Sequence, residues 1–248
     1  MSDYEQLKKP IFLPQINCDL GEGVAWEEEI FQFIDVASLA CGGHYGSQES
    51  LDNSLNLAKK FNKKVGAHPS YPDRINFGRV TQNIPTEDLL EQIGHQIGWF
   101  VTSASAHRIS MDHIKFHGAL YNDAAKDPVL ASLLTHFLAE EYSTIPLLVP
   151  PHSQLELHAQ LKGIPIRLEV FADRSYTSNY QLSPRSQEGS LLKTLESVDS
   201  QVNRLIFEGQ LLSQTGEYLP IVADTLCFHG DNPNILDFLP TLRKRYWS

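Results

Sequence analysis

The sequence has few cysteines and no long apolar segment. Its 248 residues include three cysteines, Cys18, Cys41 and Cys227, an odd number that does not suit a disulfide framework and indicates a reducing compartment. We interpret them as small buried apolar groups rather than nucleophiles. No apolar run approaches the ~18 residues of a membrane span. The polar segment 1–10 lacks the apolar core of a signal peptide, so the sequence predicts a cytoplasmic protein.

Basic residues are also in short supply. Twenty Lys and Arg against 30 Asp and Glu give a formal net charge of −10, which argues against nucleic acid or an anionic membrane as the main partner. Neither a GxxxxGK[ST] phosphate loop nor a GxGxxG nucleotide fingerprint occurs. The composition is otherwise that of a globular protein, 42% hydrophobic, with enough apolar residues for one large α/β domain.

Short apolar segments alternate with helical patterns along the chain. We predict strands that end near residue 20 and that cover about 36–41, 64–68, 113–116, 145–149, 165–171 and 223–228. Helices are predicted over about 27–35, 48–61, 87–107, 127–142, 153–162, 194–208 and 233–245, with Ser47, Thr86 and Asp127 as N-terminal caps. A polar stretch at 174–190 is long enough to be a lid or a binding loop.

Strict alternation of strand and helix favours a parallel sheet covered by helices. Seven such units fit a barrel better than an open sheet. We therefore predict one domain over residues 1–248, a seven-stranded (β/α) TIM-like barrel that is incompletely closed, with residues 1–10 as a loose tail. An open doubly wound sheet is the alternative.

Ionisable side chains follow six of the seven predicted strands. Each taken alone has an ordinary explanation, such as an Asp that closes a turn. In a parallel barrel, however, the carboxyl ends of the strands meet at one mouth, so the repetition indicates a functional site. In chain order the groups are Asp19 and Glu22, His44, His68 and Asp73, Lys115 and His117, Glu169 and Asp173, and His229 and Asp231.

Several chemistries fit these residues. Asp19, His44 and His68 could bind a divalent metal, because two imidazoles and a carboxylate are a common ligand set for first-row ions. Two carboxylate pairs are candidates for general acid and base catalysis: Asp19 with Glu22, and Glu169 with Asp231. We expect only one of Lys115 and His117 to face the site. Four arginines could clamp a carboxylate or a phosphate: Arg74, Arg79, Arg174 and Arg185.

Taken together, these motifs resemble the LamB/YcsF family. The matching segments appear in the family's order between residues 16 and 233. They are NCDLGE at 17–22, ACGGH at 40–44, GAHPSYPD at 66–73, FGR at 77–79, KFHGALYN at 115–122, EVFADR at 169–174, LSPR at 182–185 and HGD at 229–231. The sequence departs from the family pattern at Gly43, Tyr45, Ser47-Gln48 and Phe116, where the family usually has an aromatic residue, Ala, an Asp-Pro pair and Pro.

The resemblance implies a seven-stranded barrel related to glycoside hydrolases and deacetylases. It also implies the activity of the bacterial 5-oxoprolinase, in which 5-oxo-L-proline is cleaved to L-glutamate with hydrolysis of ATP as co-substrate. Members of this family include the A subunit of that enzyme, so the resemblance also implies partner subunits B and C. Phosphate transfer to the lactam oxygen would make the amide electrophilic, and attack by water would then open the ring.

We predict a catalytic set from the strand ends, comprising Asp19, Glu22, His44, His68, Lys115, His117, Glu169 and Asp231. The predicted set for substrate or phosphate binding is Arg79, Arg174, Arg185 and His229. Two other functions remain open. One is a metal-dependent deacetylase or amidohydrolase that acts without ATP. The other is a non-catalytic barrel that holds substrate or scaffolds the partner subunits.

Overall fold

Seven parallel strands form a closed barrel in the computed structural model, which describes residues 10–247. The strands in chain order are β1 (Gln15–Leu20), β2 (Val36–Ala40), β3 (Lys64–His68), β4 (Met111–Ile114), β5 (Leu147–Val149), β6 (Ile166–Phe171), β7 (Gln210–Leu212), β8 (Tyr218–Pro220) and β9 (Thr225–His229). The barrel order is β1-β2-β3-β4-β5-β6-β9, and β9 closes it by pairing with both β1 and β6.

The predicted TIM-like barrel is confirmed, but the prediction of incomplete closure is wrong. Five residues of β1 are in register with β9, from Gln15 opposite Thr225 to Asp19 opposite His229. The narrowest seam lies between β4 and β5, where Ile114 and Leu147 are the one pair in register. The extent of one domain over 1–248 stays a prediction, and nearly all of the predicted tail lies outside the described residues.

Eight helices accompany the strands in the described part of the chain. They are α1 (Glu27–Phe31), α2 (Gln48–Lys60), α3 (Thr86–Ala106), α4 (Gly118–Lys126), α5 (Pro128–Glu141), α6 (Gln154–Leu161), α7 (Leu195–Glu208) and α8 (Ile235–Tyr246). The caps at Ser47 and Asp127 are confirmed, because both side chains accept backbone N–H groups of the first helical turn. None of the described helices combines the length and apolar character needed to cross a bilayer.

Several boundaries differ from the predictions. Pro85 takes the cap position of α3, so Thr86 begins that helix and caps nothing. The first helix ends at Phe31, because the chain must turn there to enter β2. Helix α4 and the antiparallel β7–β8 hairpin were not predicted. Gly118, with a φ of 55°, begins α4 in a stretch that the sequence pattern indicates as loop.

Alternate strand positions separate an apolar layer from a polar barrel interior. Ile16, Cys18 and Leu20 of β1 belong to the apolar core that includes residues of the helices. Asn17 points the other way and donates to Thr225 of β9. This polar interior leads up to the carboxyl ends of the strands, where the site lies.

Candidate active site

A cleft of about 500 Å³ opens at the carboxyl ends of the barrel strands. We call it the mouth cleft. Its walls include predicted site residues that follow different strands, namely Asp19, Lys115, His117, His229 and Arg79, together with Arg185 of the 174–190 segment. The expected convergence of strand-end residues therefore occurs, although the residues separate into three groups with different partners.

The first group is centred on Lys115, which is only 1% exposed. Its Nζ lies 2.7 Å from Asp19 Oδ1, 2.9 Å from Glu169 Oε1 and 3.2 Å from Cys227 Sγ. The same ammonium sits 4.9 Å from the ring centroid of Phe171, close enough for a cation–π contact. Asp19 and Cys227 come from strands that are not neighbours of β4, so Lys115 reaches them across the barrel interior.

We call Lys115, Asp19, Glu169 and Cys227 the lysine centre, and the charges within it stabilise one another. Burial would lower the pKa of Lys115, but the negative charges of Asp19 and Glu169 raise it well above its ordinary value. Burial would raise the pKa of Asp19, but Lys115 and His68 hold it well below its usual range. Burial raises the pKa of Glu169 against the opposing effect of Lys115. These contacts favour the charged ammonium form of Lys115 at neutral pH.

Cys227 contributes its thiol to this centre, where it contacts Lys115. All three cysteines are buried and free, as predicted. Burial, and then the charge of Asp19, raise the pKa of Cys227 well above its ordinary value, so it remains a thiol. The interpretation of the cysteines as small buried groups agrees with these positions.

The second group, the histidine cluster, consists of Glu22, His44, His68 and His117. Each of these four buried residues offers one atom that could bind a metal ion, and the four atoms lie within 4.8 Å of one another. His44 Nε2 donates to Glu22 Oε1 at 3.0 Å, and its ring stacks on that of His117 with a centroid separation of 3.6 Å. The cluster keeps His44 and His68 of the predicted metal ligands but contains Glu22 and His117 in place of Asp19.

Hydrogen bonds leave two nitrogens of the cluster facing each other. His68 Nδ1 donates to the carbonyl of Lys115 at 2.8 Å, and His117 Nε2 donates to that of Phe77 at 3.0 Å, because a carbonyl oxygen can only accept. The remaining nitrogens, His68 Nε2 and His117 Nδ1, are 2.9 Å apart. Two neutral rings would place two lone pairs there, an arrangement that a shared proton or a bound metal ion would stabilise.

A divalent metal fits part of this cluster. Metal-bound histidines usually donate their second nitrogen to a protein acceptor, and both His68 and His117 do so. Burial, with the neighbouring His44 and His68, lowers the pKa of His117 well below its usual range and so favours the neutral form that binds metals. His44 fits least well, because its Nδ1 is buried without a partner.

Lys115 and His117 both face the site, so the prediction that only one does is wrong. Lys115 contacts Asp19, His117 contacts His68, and both line the mouth cleft. Strand β4 already ends at Ile114. Residues two positions apart in an extended segment also share a face, which gives the physical reason for the correction.

The third group, the anion rim, is formed by Arg79, Arg185 and Asp231. Asp231 Oδ2 accepts from Nη2 of Arg79 and, at 3.0 Å, from Nη1 of Arg185. Although burial raises it, the pKa of Asp231 is held below its usual range by Arg185, His229 and Arg79. Glu169 was the predicted carboxylate partner of Asp231, but it contacts Lys115, whereas Asp231 contacts the two arginines.

The other two arginines are occupied by backbone. Arg174 donates to the carbonyls of Ser183 at 2.5 Å and Ser190 at 3.0 Å, which fastens the 174–190 segment beside the cleft. Burial and the nearby Arg185 lower its pKa to about 10. Arg74 donates to the carbonyls of Gly42 and Gly46 and so braces a neighbouring loop.

His229 is oriented by Asp173, a strand-end residue that the predicted site sets left out. Asp173 is fully buried and accepts from His229 Nδ1 at 2.7 Å, from the His229 backbone N–H at 3.2 Å and from Asn232 Nδ2 at 2.9 Å. The carboxylate fixes the proton of the neutral imidazole on Nδ1 and leaves a lone pair on Nε2. The position of Asp173 just after β6 was the sequence signal for its pairing with His229. No sequence signal indicated that Asn232 would join them.

Comparisons with known proteins agree with this architecture. The family model described as LamB/YcsF matches residues 15–247. The chain belongs to the LamB/YcsF family. That match spans all seven barrel strands and every residue of the three groups, and it confirms the resemblance seen in the motifs.

Two similar proteins align with nearly the whole of this chain. A protein of Erwinia tasmaniensis, named as the A subunit of 5-oxoprolinase, is 36% identical over 231 residues, which are 93% of this chain and 94% of that protein. The crystal structure of a lactam utilization protein from Thermus thermophilus has a TM-score of 0.85 at 32% identity, with 94% of this chain and 95% of that chain covered.

A more distant structure shares the fold alone. A putative cellobiose-phosphate cleavage protein from Enterococcus faecalis has a TM-score of 0.53 at 14% identity, covering 87% of this chain and 78% of that one. At that identity the likeness extends to the barrel and carries nothing about the chemistry of the LamB/YcsF site.

Proposed function

We propose that this chain is the A subunit of an ATP-dependent 5-oxoprolinase and takes part in opening 5-oxo-L-proline to L-glutamate together with subunits B and C. The observation that carries the proposal is the mouth cleft, where buried acid–base residues lie beside the arginines of the anion rim. The relative from Erwinia tasmaniensis, through its name, supplies the substrate. That substrate has a carboxylate, which arginines would bind, and an internal amide, whose cleavage needs acid–base residues.

The proposed reaction converts 5-oxo-L-proline, ATP and two waters into L-glutamate, ADP and phosphate. After phosphate has passed from ATP to the lactam oxygen, one water opens the ring to give an acyl phosphate, and the other hydrolyses that acyl phosphate and releases phosphate. The amide is resonance-stabilised, so transfer of phosphate to its oxygen provides the activation that water attack requires. The C–N bond of the ring then breaks, and the nitrogen takes up protons to become the amino group of glutamate.

The residues of the cleft suit the ring-opening half of this reaction. Lys115 supplies a buried positive charge that would stabilise negative charge developing on the lactam oxygen. His229, with its Nδ1 held by Asp173, presents Nε2 as a base that would take a proton from the attacking water. The histidine cluster, whose four residues all belong to the predicted catalytic set, would carry the proton toward the leaving nitrogen.

Reconstitution tests the proposal. The purified chain, with and without subunits B and C, is assayed for 5-oxoproline-dependent ATP hydrolysis and for glutamate. We expect turnover only with all three subunits and a fall in kcat of about a hundredfold or more for His229→Ala. His95→Ala, at an exposed histidine of α3, is the matched control and should retain full activity.

Two results would contradict this proposal. Absence of turnover in the complete assembly would exclude the activity. Full activity of His229→Ala and Lys115→Met, combined with complete loss when the chain is omitted, would show that the barrel acts as a scaffold and has no catalytic part.

The histidine cluster supports a second candidate function, a metal-dependent amidohydrolase or deacetylase that acts without ATP. Glu22, His68 and His117 would hold the ion, and their other hydrogen bonds already fit that role. A bound divalent ion would supply Lewis-acid chemistry for attack on an amide. Within the chain, His229 would again hold the proton of the attacking water.

Metal analysis separates the two candidates. The protein purified without chelator is analysed for divalent metal, alongside His117→Ala and the exposed-site control His136→Ala. A stoichiometric ion lost only in His117→Ala, together with amide cleavage in the absence of ATP, would favour the metal-dependent function. Metal-free protein that supports ATP-dependent turnover would exclude it.

A further inference from the structure

The ion pair of the anion rim spans the mouth of the barrel. Arg79 follows β3 and Asp231 follows β9, and these strands lie three steps apart around the seven-stranded ring. Arg185 approaches from the segment that follows β6. The three side chains are all partly exposed, at 35%, 31% and 26% for Arg79, Arg185 and Asp231. A ligand that enters the cleft therefore meets this contact first.

We infer that Arg79 and Arg185 are the receptor for the carboxylate of a small carboxylic acid, and that Asp231 occupies this receptor as an internal stand-in until the ligand displaces it. The inference deepens the proposed function and rests on it for the identity of the acid, 5-oxo-L-proline. It reassigns Asp231 from the predicted catalytic set to the control of substrate binding.

The geometry of the contact matches carboxylate recognition. Both carboxylate oxygens of Asp231 face Arg185, with Oδ2 at 3.0 Å from Nη1 and Oδ1 at 3.5 Å from Nη2, and Oδ2 also accepts from Arg79. Arg79 is further held by the ring of Phe77, whose centroid is 4.7 Å from the guanidinium carbon. A ligand carboxylate would find the same planar donors already in place.

The partners of Asp231 make a catalytic role unsuitable for it. An acid–base catalyst must exchange a proton near neutral pH, and a carboxylate between two guanidinium groups remains ionised. A ligand carboxylate would replace the contacts of Asp231 with equivalent ones, and the partly exposed side chain of Asp231 can move into solvent, so the exchange costs little. Displacement of Asp231 would also remove the contact that joins the loops after β3 and β9 across the mouth cleft.

Binding measurements on the full chain, alone and assembled with subunits B and C, test the inference. 5-Oxo-L-proline, its carboxamide, which lacks the negative charge, and glutarate are titrated by calorimetry. We expect Asp231→Asn to lower the Kd of 5-oxo-L-proline and glutarate about fivefold, because the internal competitor is gone. Arg185→Gln and Arg79→Gln should raise it about tenfold, while the carboxamide should bind weakly and respond to none of them.

Asp199→Asn is the matched control, because it breaks an ion pair with Arg245 far from the cleft and removes the same charge. It should leave every Kd unchanged. An unchanged or raised Kd in Asp231→Asn would overturn the inference, and so would a carboxamide that binds as tightly as the acid. Failure of all three probes to bind would overturn it too.

The same measurements distinguish this inference from the proposed function. If glutarate shows the Asp231 effect but the assembled enzyme does not turn over 5-oxo-L-proline, the carboxylate receptor stands and the proposed substrate falls. If the assembled enzyme turns over 5-oxo-L-proline but Asp231→Asn leaves the Kd unchanged, the proposed substrate is supported and the carboxylate receptor is overturned.

Discussion

At the scale of single residues, the lysine centre shows how burial and charge determine a role together. A Lys at a strand end can extend its ammonium into solvent with its alkyl stem against the protein. Lys115 instead turns inward, because Asp19 and Glu169 provide the negative charge that compensates its desolvation. The lysine in turn favours the ionised form of both acids against the effect of their burial.

Lys115→Met should therefore destabilise the fold strongly. It leaves the charges of Asp19 and Glu169 buried without a cation, which costs about 3–5 kcal/mol in the free energy of unfolding. Urea denaturation at neutral pH measures the change. Lys60→Met, which removes an exposed pair with Glu28, is the control and should shift stability by less than about 0.5 kcal/mol. Wild-type stability in Lys115→Met would mean that the two acids do not need the lysine.

At the scale of elements, β3 depends on a residue without a side chain. Gly66 lies under the ring of His113, and a Cβ at that position would come within 2.3 Å of the His113 carbonyl oxygen and 2.6 Å of its ring. His113 in turn reaches Ser38 on β2 at 2.9 Å, across the face of β3. Glycine thus permits a polar contact between β2 and β4 above the strand that separates them.

Gly66→Ala should cost about 3 kcal/mol or more, because backbone cannot move aside as a flexible side chain can. Gly98→Ala is the matched control in α3, where an added Cβ has no atom within 4 Å. There alanine should raise stability by up to about 1 kcal/mol through helix propensity. Thermal unfolding of both variants checks the pair, and equal effects would refute the packing argument.

At the scale of the whole molecule, the barrel interior is unusually polar for a packed core. Ser38, His113 and Asp112 are connected by hydrogen bonds in an order like that of a nucleophilic triad. They do not line the mouth cleft, and their contacts join β2 to β4 inside the barrel. Asp112 is also bound by Arg167, which fixes the network at the amino end of the strands.

Buried histidines should make the fold sensitive to acid. Burial lowers the pKa of His113, and Asp112 offsets this only in part. The unfolded chain therefore binds more protons below about pH 6.5, and the free energy of unfolding falls by up to about 1.4 kcal/mol per pH unit for this group. His44 and His117 act in the same direction in metal-free protein, whereas the raised pKa of Glu169 opposes them.

We expect a net loss of about 2 kcal/mol between pH 7 and pH 5.5, measured by urea unfolding with a chelator present. His113→Asn should flatten the slope even though it lowers stability overall. His136→Gln, at an exposed histidine, should leave the slope as it is. Constant stability across this range would contradict the sign of the shifts.

The sequence by itself determined the barrel, its family and the strand ends that carry the chemistry. Alternation of short apolar segments with helical periods is a local pattern, and the motifs from NCDLGE to HGD lie next to it. The caps at Ser47 and Asp127 are local too, since each depends on a few neighbouring residues. Helix α4 was not predicted, because its first residue is Gly118 and the residues before it have the pattern of a loop.

Only the tertiary structure decided which of these residues share a contact. Asp19 pairs most closely with Lys115, Glu22 and His117 join the histidine cluster, and Asp231 meets two arginines. Those pairings join positions up to 152 residues apart. They depend on strand order, on the direction of each side chain and on the balance of burial against charge, none of which a local pattern encodes.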